Sequence, residues 1–137
     1  MILSLENQVA LVTGASSGLG YACAEALAKA GAGVVVNYHS QAEPAEELVD
    51  KIRADGGRAI AVKGDVSKEA DVEILFAQTI AEFGRLDILV ANSGLQKDAP
   101  SIEMSLADWN TVLDVKLTGP FLCARAALRQ FRDQAHR

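Results

Sequence analysis

Little in this sequence could staple or anchor it from outside. It holds only two cysteines in 137 residues, Cys23 and Cys123, and both fall in helical patterns far apart in the chain. That makes a disulfide framework or a metal pair a poor reading and leaves two reduced thiols packed in helices. No apolar run is long enough to span a bilayer, and no signal-peptide pattern follows Met1. The expectation is a cytoplasmic chain without a membrane partner. Positive charge is not in excess either. Lys and Arg number 13 against 18 Asp and Glu, a net charge of −5, which argues against a nucleic-acid surface. Linkers, low-complexity stretches and an unrelated second domain are also missing, so residues 1–137 read as a single unit.

What is present is a soluble, core-forming composition, with half the residues hydrophobic and 23% charged. Strand-like runs occur at Val9–Thr13, Gly33–Tyr38, Arg58–Lys63 and Leu86–Ala91. The last is almost continuously apolar, as for a strand buried on both faces. Helical patterns fill the gaps. One begins at Tyr21 and runs to Ala30. A second spans Pro44 to Ala54, with acidic residues early, basic residues late and Gly56-Gly57 to stop it. Ser67 reads as the N-cap of a third, ending at Gly84. Ser105 opens a last helix, with Asp108 completing a capping-box pattern, and that helix runs towards Arg132. Its end is rich in arginine (Arg125, Arg129, Arg132, Arg137), which reads as a solvated helix C-terminus.

Alternating strands and helices imply right-handed crossovers and an α/β fold, a doubly wound parallel sheet of Rossmann type. Four βα units give the expected strand order 3-2-1-4. Ligands then bind at the carboxyl ends of the first and fourth strands, where the order reverses. Thr13-Gly14-Ala15-Ser16-Ser17-Gly18-Leu19-Gly20 falls there, straight after the first strand. Its glycines let backbone N–H groups approach an anion, and the helix that follows adds its dipole. Asp65-Val66 follows the third strand; Asp65 reads equally as a turn carboxylate or as an acceptor for an adenine amino group. Asn92-Ser93-Gly94 follows the fourth, and Asn92 suits either a left-handed strand end or a side chain pinning neighbouring loops.

The spacing G-x-x-x-G-x-G, with D-V after the third strand and Asn92-Ser93-Gly94 after the fourth, resembles the short-chain dehydrogenase/reductase family. The resemblance runs through Trp109-Asn110 and Leu117–Leu122 and is strongest to glucose-1-dehydrogenase-like members. Ala91 and Ser93 stand where the family usually has Asn and Ala. The resemblance implies an NADP or NAD cofactor. Gly14, Ser16, Ser17, Gly18, Leu19 and Gly20 would meet its pyrophosphate, Asn37, Tyr38, His39 and Ser40 the adenosine ribose, Asp65 and Val66 the adenine, and Asn92, Ser93 and Gly94 the inner ribose. No carboxylate appears after the second strand until Glu43, whereas Asn37 and Ser40 can donate to a phosphate and a protonated His39 can add charge. The choice therefore leans to NADP(H), or to dual use, although His39 also suits a solvated loop.

The family's catalytic Tyr and Lys are spaced Y-x-x-x-K. Here the tyrosines are Tyr21 and Tyr38, followed four positions later by Glu25 and Ala42. Lys116 occupies the family's catalytic Asn position, as a helix-surface residue or in some compensating role. By resemblance, the chain is about the first half of a family member, with the C-terminal half missing. It is expected to bind cofactor without turning over an alcohol or carbonyl substrate on its own. A non-catalytic nucleotide-binding or oligomerisation module is the alternative. The fourth strand would have a bare edge, and the stripe Val112, Val115, Phe121, Leu122 and Leu128 would partly lose its neighbours, which points to a homo-oligomer.

Overall fold

The computed structural model describes residues 4–95 and 97–136, so Met1 and Arg137 lie outside the described residues. The elements run β1 (Val9–Val12), α1 (Gly18–Lys29), β2 (Gly33–Tyr38), α2 (Ala42–Ala54), β3 (Arg58–Lys63), α3 (Glu69–Phe83) and β4 (Ile88–Val90). After them come α4 (Leu106–Leu113), a π-helical segment (Asp114–Thr118) and α5 (Gly119–Ala135). The strands form one parallel sheet in the order β3-β2-β1-β4, as expected, with Val9 opposite Gly33 and Ala10 opposite Ile88.

The pleat of the sheet divides the core in two. Val9, Leu11 and Val35 point to one face, where Val72, Leu75 and Phe76 of α3 and Leu122, Cys123 and Ala127 of α5 cover them. Ala10, Val12, Val34 and Val36 point to the other, under Ala24 of α1 and Ala45, Leu48 and Ile52 of α2. Each fully buried side chain such as Leu48 or Leu75 contributes about 1.5–3 kcal/mol of apolar burial. Both cysteines are free thiols, and burial pushes that of Cys123 up to about 11, so it is an inert packing group.

Several boundaries differ from the sequence reading. β4 is shorter than Leu86–Ala91, and its residues are half-buried rather than buried on both faces. It lies at the end of the sheet, and no strand covers its outer edge among the described residues. Leu86 is fully buried, but the side chain of Gln134 bonds its backbone N–H and C=O instead of a ladder partner. α1 starts at Gly18 rather than Tyr21, and α2 at Ala42 rather than Pro44. Ser67 does not cap α3. Its hydroxyl donates to Asp65, and Lys68 occupies the N-cap position without a side-chain bond.

Two expected helix ends are observed: Gly84 closes α3 with φ +77°, and the Asp108 N–H donates to Ser105 Oγ at 3.1 Å. The last helix is not continuous, because the π-helical segment separates α4 from α5. Arg125 is not simply solvated. It pairs with Glu69 of α3 and lies over the Phe121 ring, 5.1 Å from its centroid.

Candidate functional site

The carboxyl ends of all four strands open into one cleft of about 760 Å³. It is the place where the chain changes direction across the sheet: β2 lies on one side of β1 and β4 on the other. Gly14, Ser16, Ser17 and Leu19 come to it from the glycine turn, and Asn37, His39 and Ser40 from the end of β2. Asp65 and Val66 follow β3, and Asn92, Ser93 and Gly94 follow β4. Four segments separated in sequence thus meet where their motifs imply.

The glycine turn holds its shape through backbone geometry that side chains would spoil. Gly14 has φ +58°, and a Cβ there would come within 2.9 Å of the Ser93 Cα. Gly18 has φ +59° with open space in front of it. Gly20 is buried, and a Cβ on it would meet Asn92 Nδ2 and the Gly14 carbonyl at 2.5 Å. Gly20 therefore shapes the turn from behind, holding it against Asn92. Ser17 stands at the N-cap of α1 with extended backbone and no side-chain bond, so the first turn of α1 keeps free N–H groups for a ligand. Leu19, 79% exposed, lies open beside them.

Thr13 and Asn92 lock this turn to the end of β4. The Thr13 hydroxyl oxygen accepts from the backbone N–H groups of Asn92 (2.9 Å) and Ser93 (3.1 Å). In return, Asn92 Nδ2 donates to the carbonyls of Thr13 (3.3 Å) and Gly14 (3.1 Å). Asn92 therefore pins neighbouring loops. Thr13 opens the glycine motif in the sequence, and the structure gives it a role there as a buried hydroxyl at the end of a wholly apolar strand.

Asn37 needs correction. The expectation that it offers hydrogen bonds to a ribose or phosphate fails, because it is 1% exposed and its amide is already engaged. Its oxygen accepts from the Gly14 N–H at 3.2 Å, and its nitrogen donates to the carbonyls of Val62 and Gly64, each at 3.2 Å. A buried amide must satisfy its polar atoms, and the ends of the two neighbouring strands, β1 and β3, do so. It sets the floor of the cleft. Tyr38 is corrected too: it packs against the α1–α2 face and does not reach the cleft.

His39 and Ser40 are the exposed groups at this end. His39 Nε2 stands 3.9 Å from Asp65 Oδ2. Asp65 Oδ1 accepts from the backbone (3.0 Å) and hydroxyl (2.7 Å) of Ser67, forming a turn. Burial works against its charge, but these hydrogen bonds, with His39 and Lys68 nearby, outweigh it and hold the carboxyl below the usual range. The turn and acceptor readings of Asp65 are thus compatible, since Oδ2 is not used by Ser67.

Thr111, Asp114 and Val115 form a further wall that motif reading misses. They come from the junction of α4 with the π-helical segment. Lys116 sits within that segment. Among the described residues there is no cluster of His, Cys, Asp and Glu able to hold a metal, and no helix long and apolar enough to cross a membrane.

A glycine turn feeding a helix N-terminus at the switch point of a parallel sheet defines a fold of Rossmann type. Residues 8–136 match the short chain dehydrogenase family, and the chain belongs to it. It is 47% identical over 131 residues to a 3-oxoacyl-[acyl-carrier-protein] reductase of Synechocystis sp., covering 96% of this chain and 53% of that protein. It is 46% identical over 129 residues to glucose 1-dehydrogenase 2 of Bacillus subtilis, covering 93% and 50%.

Among solved structures, a dehydrogenase/reductase from Sinorhizobium meliloti superposes with a TM-score of 0.91 at 38% identity, covering 94% of this chain and 51% of that one. A short chain dehydrogenase from Burkholderia cenocepacia in complex with NADP gives 0.89 at 36%, covering 92% and 51%. The chain spans about half the length of the curated relatives it matches. Its relatives make it part of an oxidoreductase family.

Proposed function

We propose that this chain is the cofactor-binding part of an oxidoreductase that transfers a hydride between nicotinamide C4 and an alcohol or carbonyl carbon. The observation that carries the reading is the Thr13–Asn92 lock, which holds the glycine turn open beside the free N–H groups of α1. The pyrophosphate would lie on Gly14–Leu19, the adenosine at His39, Ser40, Asp65 and Val66, and the second ribose at Asn92–Gly94. Gly18 supports this fit, because its front is open to an approaching phosphate.

NADP(H) is the preferred cofactor in this reading. The buried Asn37 does not support that preference, but no carboxylate replaces it, and the fold supplies cations absent from the β2 end itself. Lys63 and Lys68 border a side cavity of about 230 Å³ that shares His39, Gly64 and Asp65 with the main cleft. Titration calorimetry with NADP(H) and NAD(H) tests the preference, and tighter NAD(H) binding would refute it. For substrate we propose a sugar such as glucose, on the likeness to the Bacillus subtilis protein.

The residues present include no Y-x-x-x-K pair, since Glu25 and Ala42 follow Tyr21 and Tyr38 by four positions. This favours a second reading, a non-catalytic nucleotide-binding or oligomerisation module. We expect no turnover by these 137 residues with NADP⁺ and a panel of alcohols. A rate that Gly18→Asp abolishes would overturn that expectation. A homo-oligomer in the cytoplasm belongs to the same proposal, supported by the exposed apolar side chains of Trp109, Leu117, Phe121 and Leu128. A monomer by light scattering at micromolar concentration would remove it.

A further inference from the structure

One wall of the cleft comes from neither the glycine turn nor the strand ends. The cleft is also bounded by Thr111, Asp114 and Val115, where α4 passes into the π-helical segment. The Gly119 N–H donates to the Asp114 carbonyl and spans this wide turn. Lys116 lies in its middle, and its Cε stands 4.0 Å from the point that a Cβ would occupy on Gly94. Its side chain therefore reaches Gly94, a residue that lines the cleft. Among the described residues Lys116 makes no ion pair. Lys97, by contrast, pairs with Asp108 at 3.4 Å. An ammonium without an ion pair is thus held beside the loop assigned to the nicotinamide half.

We propose that Lys116 biases the cleft towards the reduced cofactor. This rests on the dinucleotide reading, which sets the nicotinamide beside Asn92–Gly94. The oxidised ring carries a positive charge and the dihydro ring carries none, while the two cofactors are otherwise the same in charge and shape. An ammonium near the ring therefore repels one redox state and leaves the other alone. Asp114, on the same wall, acts in the opposite sense, because a carboxylate favours the oxidised ring. Both groups stand at a solvated rim, so salt weakens their effect.

The test is calorimetry on the chain with NADP⁺, NADPH and adenosine 2′,5′-bisphosphate, which lacks the nicotinamide half. In Lys116→Met, the ratio of the NADP⁺ to the NADPH dissociation constant is expected to fall about three- to fivefold at low salt, and less at high salt. Adenosine 2′,5′-bisphosphate should bind both proteins equally. Asp114→Asn should raise the same ratio. An unchanged ratio in Lys116→Met, with the bisphosphate still bound, would overturn this inference and leave the dinucleotide reading standing. Failure of the wild-type chain to bind either dinucleotide or the bisphosphate would overturn both.

Discussion

The two sides of β1 are built to different standards of closure. Towards β2, every strand residue from Val9 to Val12 and from Gly33 to Asn37 is buried, with α1 and α2 covering one face and α3 and α5 the other. Towards β4, the three strand residues are only half-buried, and the helices beyond them expose Trp109, Leu113, Leu117, Phe121 and Leu128. The sealed side holds the glycine turn and the adenosine end of the cleft. The open side holds Asn92–Gly94 and Lys116. Order is thus concentrated where phosphate binding needs a fixed backbone, and the Thr13–Asn92 bonds carry it across to the open side.

The largest expected effect breaks that link at Gly20. An alanine there would force its Cβ against Asn92 Nδ2 and the Gly14 carbonyl, both at 2.5 Å. Gly20→Ala should cost about 3 kcal/mol of stability, read by urea unfolding, and should abolish NADP(H) binding. Asn37→Ala comes next. It leaves the Gly14 N–H and the Val62 and Gly64 carbonyls without their partner, so a loss of about 2–3 kcal/mol is expected. A loss below about 0.5 kcal/mol would mean that water replaces the amide and that the sealed side is less dry than it looks.

Acid should act on both sides at once. Asp87 is held below its ordinary pKa: burial raises it, but bonds from Arg85 and the Val9 N–H outweigh that. Asp65 is depressed as well. A group with a depressed folded pKa stabilises above its unfolded value, and that contribution is lost as pH falls through the folded one. Thermal stability should therefore hold near neutrality and decline below about pH 4. Asp87→Asn should flatten the decline.

Native-state hydrogen exchange sharpens the contrast directly. Amides of β1 and β2 should exchange more slowly than those of β4, and equal rates would erase the distinction between the sides. The smallest effect is expected from Arg125→Ala. Its partner Glu69 is largely exposed and Arg125 itself half-buried, so the loss should stay under about 1 kcal/mol in urea unfolding.

Much of the fold and of the cleft is legible in the order of residues alone. The strand order follows from alternating strands and helices, and the glycine turn, Asp65-Val66 and Asn92–Gly94 are recognisable by their spacing. These are local patterns, set by backbone φ, strand burial and helix termini, and each is written in a few neighbouring residues. Misreadings arise where a polar residue has two opportunities. Asn37 sits at a strand end and looks free to meet a ligand, but neighbouring strand ends take its amide. Ser67 looks like a cap, yet Asp65 two residues earlier takes its hydroxyl.

Apolar periodicity and glycine placement act over short distances, so the chain's own pattern suffices for the parallel sheet, its switch point and the glycine turn. Tertiary packing was needed to settle which polar groups hold loops together and which face the cleft. It also brought Lys63 and Lys68 beside His39 and set Lys116 against Gly94. Those outcomes depend on contacts between residues far apart in the chain, where each hydrogen-bonding group takes the partner that packing leaves within reach.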